Sequence, residues 1–423
     1  MWRSVKNIVS YLWFVFSLDW FQLISTVIDI VILVWSFVNW KEIALQPTLV
    51  LVFIGILTTF IWQIFNVASH FTFLRKEDPA APLDSLLKKD KDGNKLFGDI
   101  HISKELTDSM SYKPNVFLGI LENERIDEVL NNNNSFIEMV LSGDRDKVIR
   151  VYILQYKETL LKFLNHRWYE IVHKKGDFTN DAKICFSSEL FHEDGHYKWK
   201  VSKGRYYDGV LTNSIFSKYV GGSHFKLYPP VNLQNTGIGV LGGLDFSDHI
   251  GVSTMLYTTD GYVLVLKQAG KSAEYPDRYM PSGSGSLDYA DFVKGEDLRQ
   301  LVIRGAEREL SEENSLKKTL PKKTRLEKGI IIETFVLKFY RDLERGGKPE
   351  FSCISRINKG KESVKDFFKP NTKEMAYELK WGKIGDSNFW EGENGILKTA
   401  SLSLKVCYEA AKEYTRNVII KSE

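Results

Sequence analysis

The stretch Arg308-Glu309-Leu310-Ser311-Glu312-Glu313-Asn314-Ser315-Leu316 has acidic residues at positions i, i+3 and i+4. On a helix, this spacing puts Glu309, Glu312 and Glu313 on one face. Like charges this close repel one another, so the pattern predicts a positive group among them. A hard divalent cation such as Mg²⁺ fits, because it takes oxygen ligands and is commonly held by carboxylates together with substrate phosphates.

The sequence before this acidic stretch has strand and turn signals. Residues 250–268 contain two β-rich runs on either side of Asp260-Gly261, which is a strong hairpin signal. A segment rich in Gly and Ser follows at residues 278–286. Two strands and a Gly-rich loop are therefore predicted to precede the acidic stretch.

The acidic stretch itself and the sequence after it continue this alternation. Apolar residues recur at helical spacing from about Glu296 to Asn314. Strands are predicted near residues 330–340 and 351–357, with a turn at Gly346-Gly347 between them. The complete order is strand, strand, Gly-rich loop, acidic helix, strand, strand.

Motif and order together resemble the Nudix hydrolase superfamily, whose box reads G-x5-E-x7-R-E-U-x-E-E-x-G-U, with U an aliphatic residue. The run from Arg308 to Asn314 matches the right half of this box at each position, and Leu316 fits its last aliphatic position. Ser315 departs from the pattern, because it stands where the family has glycine. The resemblance covers roughly residues 246–415 and implies an α/β Nudix-like fold, with a mixed sheet between helices.

The left half of the box departs further from the family pattern. Gly285 is followed by five residues and then by Asp291 instead of glutamate, and Asp291 lies 17 positions before Arg308, where the family has eight. Glu296, 12 positions before Arg308, is the other candidate for the first acid. The sequence leaves both candidates open.

The resemblance implies hydrolysis of a nucleoside diphosphate linked to another group, with Mg²⁺ or Mn²⁺ as cofactor. One or more metal ions would neutralise charge on the phosphate oxygens and lower the pKa of a bound water. The predicted catalytic residues are Arg308, Glu309, Glu312 and Glu313, of which the three glutamates would be metal ligands. Arg308 would orient a glutamate, since a planar guanidinium suits a carboxylate.

Other candidate site residues lie outside the box helix. The general base is either a box glutamate or a later one, for which Glu362 and Glu374 are candidates. Four residues are candidates for binding substrate, the first two through close backbone approach and the others through phosphate contacts. These are Gly283, Gly285, Lys267 and Arg278.

The N-terminal part of the chain has the pattern of a membrane anchor. Residues 21–39 and 47–67 are two long apolar runs joined by a short link, and each is long enough to span a hydrocarbon core of about 30 Å. Basic residues precede the first run and follow the second. The positive-inside rule then predicts a two-pass helical hairpin with both termini in the cytoplasm. Residues 5–18 are predicted to form an interfacial helix along the membrane.

Asp29 is the charged residue inside the first apolar run. A carboxylate within a membrane is costly and marks a candidate functional site, such as a pore lining or a helix contact. The alternative is a hydrated or protonated side chain without a function.

The bulk composition places few limits on function. The chain has 423 residues, with 43% hydrophobic residues, and its net charge of +3 is too small to argue for a nucleic-acid duplex as partner. The three cysteines are sparse and are read as small buried hydrophobes. The predicted domains are a membrane region at 1–76, a linker at 77–100, a mixed α/β region of unknown role at 101–240 and the Nudix-like domain at 241–423.

Three functional hypotheses follow. The first is a membrane-anchored Nudix-type hydrolase that faces the cytosol. The second is a nucleotide-sensing effector whose Nudix-like domain binds a nucleotide signal while the hairpin forms a homo-oligomer and disrupts the lipid bilayer. The third is a structural anchor with an inactive Nudix fold that binds protein. Turnover that is lost in Glu312→Gln separates the first hypothesis from the other two.

Overall fold

The computed structural model describes a large part of the chain. The described residues are 2–18, 20–40, 47–73, 88–89, 95–96, 102–115, 117–132, 134–157, 160–161, 163–165, 167–168, 178–215, 238–243, 246–268, 277–314, 332–365 and 376–422. The predicted linker at 77–100 lies outside them, apart from two short strands.

The α-helices are distributed along the whole chain. Within the described residues they are α1 (Trp2–Ser17), α2 (Trp20–Val38), α3 (Pro47–Phe73), α4 (Glu124–Asn131), α5 (Arg145–Gln155), α6 (Tyr206–Gly209), α7 (Leu298–Glu313), α8 (Lys361–Val364), α9 (Ser387–Glu391) and α10 (Leu402–Ser422). Single turns of 3₁₀- or π-helix occur at Glu105–Ser109, Val210–Ser214, Tyr289–Asp291, Leu343–Arg345 and Ile396–Thr399.

The strands begin after the N-terminal helices. In the described part of the chain they are β1 (Lys88–Lys89), β2 (Lys95–Leu96), β3 (Lys113–Asn115), β4 (Ile120–Glu122), β5 (Ile137–Asp144), β6 (Ala182–Phe186), β7 (Phe191–Glu193), β8 (His196–Arg205), β9 (Gly251–Tyr257), β10 (Tyr262–Gln268), β11 (Tyr279–Met280), β12 (Gly283–Ser286), β13 (Ile332–Asp342), β14 (Lys348–Ile357) and β15 (Ala376–Lys383).

Nine of the described strands form one mixed sheet. Its order is β11-β10-β9-β14-β13-β4-β3, with β12 also paired to β9 and β15 also paired to β10. β9 and β14 run parallel, and the other pairs are antiparallel. The predicted hairpin at Asp260-Gly261 joins β9 to β10, and the predicted turn at Gly346-Gly347 joins β13 to β14. Positive φ angles at Gly261 and Gly346 explain glycine at both turns.

Helices cover both faces of this sheet. Leu310 of α7 packs in one cluster with Leu256 and Leu264, whereas α10 packs against the neighbouring residues Met255 and Val263. Successive residues of a strand point to opposite faces, so α7 and α10 lie on opposite sides of the sheet. The predicted arrangement, a mixed sheet between helices with the acidic helix after the Gly-rich segment, is confirmed.

The described part of residues 101–240, the middle segment, shares the core of the main sheet. Its smaller sheet has the order β5-β8-β6 within the described residues, with β7 also paired to β8. Phe186 of β6 and Trp199 of β8 stack with ring centroids 4.1 Å apart, and both rings contact Phe339 of β13 and Phe351 of β14. Since β3 and β4 also lie in the main sheet, residues on both sides of position 240 build one core.

Helix α1 packs against the middle segment. Tyr11, Phe14 and Leu18 are buried with Ile149 and Tyr152 in one apolar cluster. A helix is therefore present over the predicted residues 5–18. Part of its apolar surface packs on the middle segment, whereas Val9 and Trp13 are 58% and 63% exposed.

Helices α2 and α3 contact each other. Their bounds nearly coincide with the predicted spans at 21–39 and 47–67. Asp29 is 8% exposed and Ser36 is 3% exposed. Large apolar side chains are exposed on both helices, among them Phe37 at 78% and Leu51 at 67%. This apolar surface is left uncovered by the described residues.

The predicted two-pass membrane topology is wrong for the part of the chain that the structure describes. A membrane span needs about 20 consecutive apolar residues. No helix among the described residues has both the length and the apolar character to cross a membrane. This finding overturns the transmembrane hairpin in the predicted fold class and the two-pass localisation with cytoplasmic termini.

Candidate active site

The acidic helix α7 lies on the sheet through its apolar side. Leu298, Leu301, Val302, Ala306 and Leu310 are fully buried, as their helical spacing predicts. The acidic side faces the Gly-rich strand β12, where Glu309 is 9% exposed and Arg308 and Glu312 are partly buried. The helix therefore presents charged groups at a protected edge.

Two glycines of β12 make this close packing sterically possible. A Cβ atom at Gly283 would lie 2.5 Å from Leu310 Cα, and one at Gly285 would lie 2.5 Å from Glu309 Oε2. Any side chain at Gly283 would push the helix backbone away, whereas one at Gly285 would displace the Glu309 carboxylate. The structure thus brings the predicted Gly283 and Gly285 together with Glu309.

Arg308 is the centre of the charged cluster. Its Nε and Nη2 donate to Asp291 Oδ2 at 3.1 and 2.9 Å, and its Nη1 donates to Glu309 Oε1 at 2.7 Å. Nη1 also lies 3.5 Å from Glu312 Oε2 and 3.4 Å from Asp288 Oδ2. The guanidinium of Arg308 therefore lies among these carboxylates, where the sequence predicts a divalent cation.

The electrostatics of Arg308 follow from this setting. Burial on its own would lower the pKa of the guanidinium, but the carboxylates of Glu309, Asp291 and Asp288 outweigh burial and raise that pKa above its ordinary value. Arg308 is therefore a permanent cation that holds several carboxylates in place.

Of the two candidates for the first acid, Asp291 lies beside Arg308 and Glu296 does not. Asp291 makes the paired contacts with Arg308, whereas Glu296 pairs with Arg304. Asp291 closes a single helical turn with Asp288, and its carboxylate accepts a hydrogen bond from Asp288 N at 3.0 Å. The longer spacing in the left half of the box is accommodated by this turn and the segment that leads into α7.

The fit of these residues to a metal ion is incomplete. Glu309, Glu312 and Glu313 supply the oxygen donors that Mg²⁺ prefers. Within the described residues, however, no group of three or more His, Cys, Asp or Glu side chains could hold a metal ion. Glu309 and Glu312 face Arg308, so the placement shown does not assemble a metal site.

The other predicted substrate residues lie elsewhere. Lys267 pairs with Tyr279 in the sheet, and its Nζ is 5.4 Å from that ring. Tyr279 belongs to the cluster on the α10 face, so Lys267 points away from the acidic helix. Arg278 directly precedes β11, and its carbonyl oxygen accepts a hydrogen bond from Gln268 N at 2.9 Å.

The structure describes one of the two candidates for a later general base. Glu362 lies on α8 with its side chain 70% exposed and is paired with Lys365. Glu374 lies outside the described residues, as does Ser315 at the departure from the box.

Sequence reasoning missed three polar residues at this site. Asp288 contacts Arg308 and also Lys183 of β6, and Asn314 donates from Nδ2 to Ser282 O at 2.6 Å and to Leu310 O at 2.8 Å. The Asp288-Tyr-Ala-Asp291 spacing is a local turn signal that identifies Asp288. No local signal identifies Lys183, since 105 positions separate it from Asp288.

Comparisons with known proteins found likenesses among solved structures. A Caenorhabditis elegans Ap4A hydrolase in a binary complex is 18% identical over 40% of this chain and 98% of its own, with a TM-score of 0.24. The Nudix hydrolase RenU from M. smegmatis is 12% identical over 44% of this chain and 94% of its own, with a TM-score of 0.25. DR0079 from Deinococcus radiodurans is 12% identical over 32% of this chain and 67% of its own, with a TM-score of 0.21.

No protein-family profile and no curated protein matches the sequence. The identities and TM-scores of the structural likenesses are too low to carry an argument. The description of the C-terminal part as a Nudix-like α/β fold therefore depends on the box residues, the order of the elements and the cluster around Arg308.

Proposed function

We propose that this protein hydrolyses a compound in which a nucleoside diphosphate is linked to another group. One observation carries the proposal. The partly buried Arg308 joins Asp291, from the stretched left half of the box, to Glu309 in the right half. Two segments 17 positions apart thus meet in one charged cluster beside the glycine-containing strand β12.

The reaction places clear demands on such a cluster. Water attacks a phosphorus atom of the pyrophosphate bridge, a new P–O bond forms, the bridging P–O bond breaks and the water loses a proton. A carboxylate of the acidic face can accept that proton. Arg308 restrains Glu309 through a charge-assisted hydrogen bond of 2.7 Å, which holds the carboxylate in one orientation.

The cofactor of the proposed reaction is Mg²⁺ or Mn²⁺. Support comes from the donor chemistry of Glu309, Glu312 and Glu313, since hard divalent cations prefer carboxylate oxygens. The residues that would hold the ion are Glu309, Glu312 and Glu313, and their described placement does not gather them into a metal site. The requirement is settled by assaying turnover with each cation and with a chelator.

The test is hydrolysis by the full chain of a panel of nucleoside-diphosphate derivatives, capped nucleotides and cyclic oligonucleotides. The doubly substituted variant Glu312→Gln/Glu313→Gln should lose turnover at least about a hundredfold, since box carboxylates act directly on the reacting groups. Turnover retained in that variant, or absent from the native chain with both cations, would contradict the proposal. Tight nucleotide binding without turnover would instead favour a sensor.

A matched pair of variants tests the two halves of the box. Asp291→Asn removes one charge from the partner of Arg308, whereas Glu296→Gln removes one charge from the partner of Arg304, which contacts the backbone carbonyl of Asp291 but not its carboxylate. We expect a large loss of kcat in Asp291→Asn and near-native kcat in Glu296→Gln. The reverse result would assign the first acid to Glu296.

A further inference from the structure

The stretched left half of the box is where the middle segment meets the acidic helix. Ile184 N donates to Leu287 O at 3.1 Å, directly after the glycine strand. Lys203 Nζ lies 5.1 Å from the ring of Tyr289, and Ile137 N is 3.4 Å from Asp297 Oδ2 at the start of α7. The inserted residues of the box thus form a surface that the middle segment covers.

One contact across this surface reaches the charged cluster. Lys183 Nζ of β6 is 2.5 Å from Asp288 Oδ1, and the second oxygen of the same carboxylate is 3.4 Å from Arg308 Nη1. The side chain of Lys183 is 14% exposed, so water screens the pair only partly. Asp288 therefore bridges a cation of the middle segment and the arginine of the box.

We propose that Lys183 is a positioning residue that sets the orientation of Arg308 through Asp288. Arg308 Nη1 has competing acceptors, since Glu309 Oε1 is at 2.7 Å, Asp288 Oδ2 at 3.4 Å and Glu312 Oε2 at 3.5 Å. Lys183 neutralises Asp288 and weakens its pull on Nη1. The guanidinium then stays on Glu309, and the Glu309 carboxylate stays against Gly285.

The consequence of losing Lys183 follows from the same geometry. Without its ammonium group, Asp288 attracts Arg308 Nη1 more strongly, and the short bond to Glu309 lengthens. The kinetic consequence rests on the proposed hydrolase function, whereas the structural consequence for Arg308 does not. The middle segment, whose role the sequence leaves open, thereby becomes part of the site.

The experiment compares Lys183→Met with Lys183→Arg in the full chain. Lys183→Met keeps an apolar stem and removes the charge, whereas Lys183→Arg keeps the charge. We expect Lys183→Met to lower kcat by about tenfold to a hundredfold with KM changed less than about twofold, and Lys183→Arg to restore most of kcat. A fall in kcat that Lys183→Arg does not restore would overturn the proposal.

The control is Lys198→Met. Lys198 also belongs to the middle segment, its side chain is 16% exposed, and it pairs with Glu193 at 2.8 Å. The substitution therefore removes a lysine of similar exposure from the same sheet, although its partner Glu193 is 57% exposed and Asp288 is 31% exposed, and it does not touch the box. Native kcat in Lys198→Met supports the proposal. An equal loss of kcat in Lys183→Met and Lys198→Met would overturn it, because the loss would then come from reduced stability.

A second measurement is independent of turnover. The Nε–H of Arg308 donates to Asp291, so its NMR signal, assigned by its loss in Arg308→Lys, reports the orientation of the guanidinium. Faster solvent exchange of this proton in Lys183→Met, but not in Lys183→Arg or Lys198→Met, supports the proposal. Unchanged exchange overturns it. A native chain without turnover would overturn the proposed function and leave this measurement decisive for Lys183.

Discussion

At the scale of single residues, the two glycines of β12 have different neighbours and predict different defects. Gly283 faces the backbone of Leu310, which cannot move without shifting α7, whereas Gly285 faces the end of the Glu309 side chain. We expect Gly283→Ala to lower the free energy of unfolding by about 1–3 kcal/mol, the usual cost of overpacking. Gly285→Ala should cost less stability and abolish most turnover, because the Glu309 carboxylate must leave its place.

Urea denaturation and the hydrolysis assay on both alanine variants separate these effects. The explanation fails if Gly285→Ala retains native kcat, or if Gly283→Ala unfolds at the native urea concentration.

His249 predicts a loss of stability in acid. It is 2% exposed, and burial, followed by the charges of Lys348 and Lys183, holds its pKa well below the ordinary value. The folded chain therefore keeps it neutral, whereas the unfolded chain takes up a proton below pH about 6.5. Protonation thus favours the unfolded state, and this contribution to stability is complete above that pH and lost as the pH falls.

The expected slope is up to about 1.4 kcal/mol per pH unit below pH 6.5 for one proton. Asp208 has a pKa raised to about 7 by burial, which gives a slope of opposite sign. The informative quantity is therefore the difference between the native chain and His249→Gln in urea midpoints at pH 7.5 and 5.5. A pH dependence unchanged by the substitution would exclude His249 as its source.

At the scale of elements, the acidic helix is fixed at both ends by side chains. Asp297 caps its N-terminus by accepting from Arg299 N at 2.7 Å, and Asn314 ties its C-terminus to Ser282. Replacing Asp297 by alanine should lower the free energy of unfolding by about 1–2 kcal/mol, the usual cost of losing an N-cap. Asp297→Asn keeps a capping oxygen and should cost less than half as much in equilibrium urea unfolding. Equal costs for the two substitutions would show that the cap contributes little.

Elements with local signals are the part of the fold that the sequence predicts well. Asp260-Gly261, the apolar spacing of α7 and the turn at Gly346-Gly347 lie within short windows, so periodicity and turn chemistry suffice. The pairing of β4 with β13 joins Leu121 to Arg341, and no short window contains both. Such pairings depend on burial summed over the whole chain.

The site shows the same limit. The right half of the box is readable because helical spacing gathers its residues on one face. The contact of Asp291 with Arg308 is not readable in this way, since it depends on the turn that carries Asp291 back to Arg308. The membrane prediction used hydropathy and charge along the sequence, and no described helix has the length and apolar character that such a span requires.

At the scale of the whole molecule, we propose that the middle segment and the Nudix-like sheet form one folding unit across the predicted boundary at residue 240. Arg341 is 1% exposed, pairs with Glu189 at 3.3 Å and lies over the ring of Tyr112. Both partners precede residue 240. A chain that begins at residue 241 leaves the Arg341 charge without them and exposes the Phe339 and Phe351 rings, which costs several kcal/mol.

The fragment 241–423 should therefore lack a cooperative thermal transition. In the full chain, the segments on both sides of position 240 should unfold in the same transition. Near- and far-ultraviolet circular dichroism follow the unfolding of the fragment and of the full chain.

The variant Glu189→Ala supplies the sharper test. This substitution lies in the middle segment but removes a partner of the buried Arg341 in β13, so the loss of stability must appear in the main sheet. Hydrogen exchange measured on β13 and β14 should accelerate in Glu189→Ala as much as exchange on β6 and β8. Acceleration confined to β6 and β8 would mean that the segments unfold separately.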